Sequence, residues 1–513
     1  MPASKKTNKT ALWWIKRDFR LHDNDALSCA IADCEYVLPV FVFETGLINC
    51  TDYSAMHVHA WTEALEDLRD RLNRVGSDVY LAHGDITQAL SNLLLQHPFN
   101  AIYSHEETGN NWTYQRDKDV QNWCHTHAID WQQFPQTGVI RRLHTRDKRR
   151  DIIKNRLIEQ PVIPAPNAVP SPASFCTTCR AKVIPNAQQL CAEDDHSHVL
   201  FDQLQTVSET QARADLKAFL YHRGLGYSGG ISSPNTAFEH GSRLSVHLAW
   251  GTISMRTVFK ATARAQQYHR DNNTVNSKQW GKSLRAFTSR LHWHDHFIQR
   301  LESVPETEFG AINPAYANVM YGNCKHKLTA WTAGQTGFPL IDACMRCLQA
   351  IGFINFRMRA MVVSFAVYAL HLSWREIHPP LARVFLDYEP GIHLSQLQMQ
   401  AGVVGINTIR VYNPTKQIVD QDPDCVFIKK WVPELADCSS VDIIGHASSP
   451  ISGYVAPIVD FKAESKAMKD QIFAIRKSVE GQEASAFVLN QHGSRKPPTR
   501  RRKKTISKQR SLL

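Results

Sequence analysis

Long apolar runs are missing from this 513-residue chain: no stretch of about 18 apolar residues offers a membrane-crossing helix. The opening Met-Pro-Ala-Ser-Lys-Lys-Thr-Asn-Lys lacks the apolar segment of a secretory leader. A cytoplasmic protein without a membrane partner is expected. Cysteine is too scattered for a disulfide framework, its twelve copies reading as reduced, buried small hydrophobes. Acid is absent from residues 495–513, where nine Lys and Arg stand together. With Lys5, Lys6 and Lys9 they account for the net charge of +11, so the middle of the chain is close to neutral. The basic balance therefore belongs to the two ends. Such a tail adds nonspecific phosphate affinity or is a solvated end, and any nucleic-acid site must be argued from local residues. No internal repeat is present.

What is present is apolar bulk, 43% of residues with 9% aromatic, enough for two sizeable cores. Ala11–Ile15, Tyr36–Phe43, Asp78–Leu81 and Ala101–Tyr103 are short apolar runs suited to buried parallel strands, and His57–Val75 is helix-compatible. Strands alternating with helices predict a doubly wound parallel sheet over residues 10–135. Ligands on such sheets bind beyond the carboxyl ends of the strands. Lys16–Asn24 and His105–Gly109 follow two of those strands. Residues 136–210, crowded with Pro161, Pro164, Pro166, Pro170 and Pro172, read as an interdomain linker. From 211 to 485 helical periodicity dominates, and Ile341–Leu348 and Met358–Leu372 are apolar enough for core helices. Residues 486–513 read as a basic tail.

The most telling stretch runs from Trp331 to Leu435. It holds Trp331–Arg346, Gly352–Arg359, Asp387–His393, Arg410–Gln417 and Trp431–Leu435, and with Trp14–Asn24 it resembles the photolyase/cryptochrome family as a divergent bacterial-type member. The resemblance implies an α/β N-terminal domain, often with an antenna chromophore, plus an all-α C-terminal FAD-binding domain. It further implies light-driven electron transfer from reduced flavin to pyrimidine lesions in DNA, the work of a carbon–carbon lyase. The alternative within the same family is a blue-light receptor of the cryptochrome type without repair activity.

Residue chemistry fits that expectation. Gly241, Ser242, Arg243, Leu244 and Ser245 offer backbone N–H groups, hydroxyls and a counter-charge for a pyrophosphate, although a plain helix cap would read the same. Arg359, Asp387 and Glu389 lie in apolar surroundings and need partners, which a flavin edge supplies; a purely structural ion pair is the alternative. His393 stands where photolyases commonly place Asn facing flavin N5, and a histidine there depends on pH; the other reading is a surface turn. Of the family's three relay tryptophans, the matching positions are Leu397, Trp374 and Tyr321, so the usual route to oxidised flavin is cut at its first step, leaving Trp331 as another aromatic on offer. On the substrate side Trp293 matches a base-stacking tryptophan, and Arg290 replaces an acid that bonds the lesion. Arg357 and Arg410 match positions near the rim of the cavity that can contact DNA phosphates, and Phe356 and Met399, also on the DNA side, make the lesion pocket more apolar. His292, His294 and His296 fall on different faces of one helix. Glu106 and Glu107 mark the region where some relatives hold a folate antenna, with a deazaflavin or no antenna equally open. Cys176, Cys179 and Cys191, with His196 or His198, have partial zinc spacing, and no late Cys-x-x-Cys supports an iron–sulfur cluster. A monomer acting on DNA is expected.

Overall fold

The computed structural model describes residues 7–143, 148–192, 196–272 and 276–493. Five parallel strands, β1 (Thr7–Trp14), β2 (Cys34–Glu44), β3 (Tyr80–Gly84), β4 (Ala101–His105) and β5 (Asp130–Phe134), lie in the order β3-β2-β1-β4-β5. Successive side chains of a strand point to opposite faces. Trp13 accordingly joins the core shared with the helical part, while neighbouring Trp14 joins a separate core beneath the sheet. The winding reverses between β1 and β4, and there the loops after both strands open onto one crevice. Four of these strands coincide with the apolar runs. The fifth, Asp-Trp-Gln-Gln-Phe, carries no run because it is an edge strand with half-buried and exposed positions only.

The helix Ala55–Arg74 buries Val58, Trp61, Leu65, Leu68 and Leu72, three- and four-residue steps along one face. It starts at a capping box between Ser54 and His57. That face continues the sheet's core into the all-helical remainder, where Pro339–Ile351 and Phe356–Tyr368 are buried almost all round. Those two form a pair bent by 118° that would suit a membrane by length and composition only; no single described helix is long and apolar enough to cross one.

The proline-rich segment is anchored rather than loose. Val37 N–H donates to Pro170 O (2.7 Å), Val169 N–H to Val75 O (2.9 Å), and Arg69 donates to the carbonyls of Lys182 and Cys179 (2.6 Å each). Its helix Ala173–Arg180 drives Phe175, Cys176 and Cys179 into the core beneath the sheet, whereas Cys191 is buried in the other core. The paired spacing of Cys176 and Cys179 has a packing account. Three-residue spacing on a helix turns both thiols to one face, and here that face is apolar. Among the described residues no three His, Cys, Asp or Glu side chains gather as metal ligands. The basic tail lies beyond Gly493, outside the described residues, except that 486–492 complete the helix Val479–His492.

Candidate functional site

The opening turn Lys16–Asn24 is first of all a structural hub. Asp18, fully buried, accepts from Lys16 N–H (3.0 Å), Trp13 Nε1 (3.3 Å), Asn24 Nδ2 (3.3 Å) and His105 Nδ1 (2.8 Å), tying the loop after β1 to the end of β4. Two arginines reach out of this turn into the helical part. Arg20 donates to Gly251 O (2.8 Å), and Arg17 donates to Ala249 O (2.8 Å) and Tyr388 O (2.7 Å).

In the helical part, Asn355 precedes the helix Phe356–Tyr368, whose first turn carries Arg359. Its guanidinium meets Asp387 through two parallel bonds of 3.0 and 2.9 Å, donates through Nε to Ile354 O (2.8 Å), and lies 4.2 Å over the Phe385 ring. Burial raises the Asp387 carboxyl pKa, yet Arg359, helped by the Ser245 hydroxyl and Arg243, holds it below the usual range. The Arg359–Asp387 half of the expected cluster is therefore present.

Glu389 is elsewhere. Asp387 lies in a turn and Glu389 (φ −129°, ψ 106°) is the residue that caps the helix Pro390–Gln400, so the two do not share one regular element that would hold them together. Glu389 instead faces Arg17 at 3.4 Å across the interdomain crevice, which Glu106, Thr108, Gln136 and His294 also line. Arg17 belongs to the site and was missed, although its turn had been singled out. Glu107 is committed to Arg116 (2.6 Å), which also holds Glu44 and Asp117; both antenna candidates are half-buried at the crevice, and Glu106 has no ion pair there among the described residues.

The pentapeptide 241–245 precedes the short helix Ser245–Ala249, whose cap is Leu244 without a side-chain capping bond, so the plain-cap reading does not account for its serines. Arg243 adopts φ +60°, inside the left-handed region that a side chain rarely takes. Its guanidinium is held between Phe353 (4.1 Å) and Phe238 (5.0 Å), makes no ion pair among the described residues, and leaves Nη1 buried without a partner. Burial pulls its pKa down to about 10. A buried guanidinium in that state calls for an anion. Elsewhere in the helical part Asn355 Oδ1 and His393 Nε2, and Glu389 Oε1 towards the crevice, are likewise buried and unpartnered. A ligand with a pyrophosphate at one end and alternating donors and acceptors at the other satisfies this set, so the residues fit FAD.

His393 is no surface turn. It is buried in the helix Pro390–Gln400, packed on His378 (5.1 Å), Tyr388 (5.4 Å) and Phe385 (6.0 Å), and burial with the neighbouring His378 drives its pKa well below the ordinary value. It is therefore neutral at physiological pH. Leu397 lies on the same helix, 1% exposed. Trp374 is buried at the start of Trp374–Arg383, Tyr321 is half-buried with an unpartnered hydroxyl, and Trp331 is fully buried with its indole N–H unpartnered.

The substrate-side residues gather at the surface. Trp293 on Ser277–Ser303 is 37% exposed and stacked on Phe297 (5.5 Å); one turn earlier Arg290 reaches over the half-exposed Phe356 ring at 5.7 Å. Arg357 follows Phe356, Met399 is half-buried on Pro390–Gln400, and Arg410 is exposed on the loop beyond it. The three histidines part as expected: His292 sits on Phe259 (5.0 Å), His294 faces the crevice, and His296 flanks Trp293 (5.3 Å).

Comparison with known proteins agrees with this geometry. Residues 11–154 match the DNA photolyase family, and residues 287–474 match the FAD binding domain of DNA photolyase. The chain is 26% identical over 483 residues to the deoxyribodipyrimidine photo-lyase of Synechococcus sp., covering 89% of this chain and 95% of that one. It is 25% identical over 452 residues to the cryptochrome DASH of Gloeobacter violaceus, covering 84% and 87%. Among solved structures, the archaeal photolyase of Sulfolobus tokodaii, described with two FAD molecules, superposes with a TM-score of 0.74 at 25% identity, over 91% of this chain and 100% of that one.

Proposed function

Because the chain belongs to the photolyase/cryptochrome family and carries its FAD-binding domain, we propose that it is a DNA photolyase that repairs ultraviolet-induced pyrimidine lesions, one copy of the chain acting on each. Residues 10–135 form the antenna-type domain in this reading, 136–210 the connection and 211–485 the flavin domain. The observation that carries it is Arg243, half-buried with Nη1 buried and unpartnered, near the Arg359–Asp387 pair, together with exposed Trp293 and Phe356 and the cations Arg290 and Arg410.

When bound, reduced FAD supplies, under light, the electron that splits the lesion. The chain's own residues do the rest. Arg243 and Ser242 neutralise and hold the pyrophosphate. Arg359 and Asp387 would hold the isoalloxazine, with neutral His393 as a hydrogen-bonding group beside it. Trp293 and Phe356 offer flat faces to a base turned out of the duplex, while Arg290 donates to its carbonyls and Arg357 and Arg410 grip phosphates.

The purified protein, chemically reduced and illuminated with defined cyclobutane and (6-4) lesions in single- and double-stranded DNA, is expected to repair one of them. Repair of neither would overturn the proposal in favour of the receptor reading, which the cryptochrome DASH relative, the basic tail and the altered lesion pocket at Arg290, Phe356 and Met399 support. Trp293→Ala should weaken binding of the repaired lesion on the order of 10- to 100-fold, as base–aromatic stacking is worth about 1–3 kcal/mol. Titration of labelled lesion DNA checks this, and unchanged affinity would remove Trp293 from the site.

A further inference from the structure

With leucine at position 397, an oxidised flavin needs a different electron source, and one neighbour of His393 has the required chemistry. Tyr388 is 1% exposed, sits between Asp387 and Glu389, and stands with its ring 5.4 Å from that of His393. Its hydroxyl donates to Asp52 Oδ2 at 2.6 Å, a carboxylate 4% exposed whose two oxygens are also bonded by Asn110 Nδ2 (3.1 and 3.2 Å). Behind it the Tyr53 ring lies 5.7 Å away, and Trp61 stands 5.8 Å beyond. Oxidised phenol is a strong acid, so a buried tyrosine yields an electron readily only where a base waits on its hydrogen bond.

We propose that Tyr388, with Asp52 as its proton acceptor, is the electron donor that photoreduces the flavin in this chain; the inference rests on the FAD reading above. Tyr388 gives one electron to light-excited, oxidised FAD. Its O–H bond breaks as the proton crosses to Asp52, forming a carboxylic acid there and leaving a neutral tyrosyl radical. A thiol in solution returns the electron, becoming oxidised towards a disulfide and releasing its proton to water, while Asp52 hands the original proton back. Burial, with Asp52 beside it, keeps Tyr388 protonated in the dark.

The test freezes the FAD-loaded protein during illumination and reads electron paramagnetic resonance. A tyrosyl signal is expected that narrows when the protein is grown with ring-deuterated tyrosine, disappears in Tyr388→Phe and persists in Tyr321→Phe. Photoreduction should slow at least tenfold in Tyr388→Phe and at least twofold when wild-type protein is moved into deuterated water. If Tyr388→Phe does not fold, Asp52→Asn, which keeps a bonding partner but removes the base, should give the same loss of signal. A tryptophanyl signal, a tyrosyl signal unchanged in Asp52→Asn, or no isotope effect overturns the assignment. A protein that repairs lesions after chemical reduction yet gives no tyrosyl signal overturns the donor alone, whereas a protein holding no flavin overturns both readings.

Discussion

Asp387→Ala should yield a protein that purifies without flavin absorbance and unfolds at markedly lower denaturant. The carboxylate is 5% exposed and bonded twice by Arg359. Its removal leaves Arg359 and Arg243 close together in a partly buried pocket, with only the more distant Asp215 to offset Arg243. Breaking a buried pair from one side costs about 3–5 kcal/mol, and the flavin loses its anchor as well. Asp387→Asn keeps a shape that can still accept from Arg359, so its loss should be smaller. The pH dependence has a definite sign. The folded-state value lies below the ordinary 3.8, so the pair's contribution is complete above that value and is lost as pH falls through the depressed one. Flavin content measured from neutral to mildly acid pH should therefore stay level until the medium is more acid than an ordinary aspartate titration. A fully loaded Asp387→Ala protein would falsify the pocket.

The second large effect lies away from the flavin. Asp342 is completely buried and accepts from Thr336 N–H (2.8 Å), Thr336 Oγ1 (2.6 Å), Gly337 N–H (3.0 Å) and the Tyr454 hydroxyl. It fixes the turn before Pro339–Ile351. Gly337 in that turn adopts φ +74° against the Ala456 carbonyl, where a side chain would collide. Asp342→Ala abandons four buried donors, each left unsatisfied at about 1–3 kcal/mol before relaxation. A net loss of about 4 kcal/mol is expected, read as a shifted urea midpoint with an unchanged slope. A shift under about 1 kcal/mol would show that water reaches the turn.

That turn also shows how the sequence misleads. Trp331–Arg346 reads as a functional signature, yet its acid secures backbone, and the chemistry begins with Asn355 and Arg359. Arg359 and Asp387 were legible because isolated charges in apolar surroundings advertise a need for partners. Glu389 was grouped with them by nearness in sequence, whereas it stands at the helix cap after the turn of Asp387 and faces Arg17 in another domain. Asp52 gave no sign at all: it sits in an irregular loop, and its partner Tyr388 is 336 residues away. Likewise β1 to β4 were visible as apolar runs, and β5 was not, since an edge strand with two glutamines needs no such run. The segment 136–210 was judged by its prolines, which record only what the backbone cannot do. They say nothing of where Phe175 and its neighbours are buried.

The anchoring of that segment bears on how the molecule is made. Val75 and Val37 wait for Val169 and Pro170, and Arg69 waits for the carbonyls of Cys179 and Lys182. At about 5–20 residues per second of synthesis, roughly 5 to 20 s separate the emergence of Val75 from that of its bonding partner. Throughout that interval the core containing Trp14 lacks Phe175 and lies open on the ribosome. The first domain is thus sealed from the outside by residues made after its last strand, and its completion is timed by the chain that follows it.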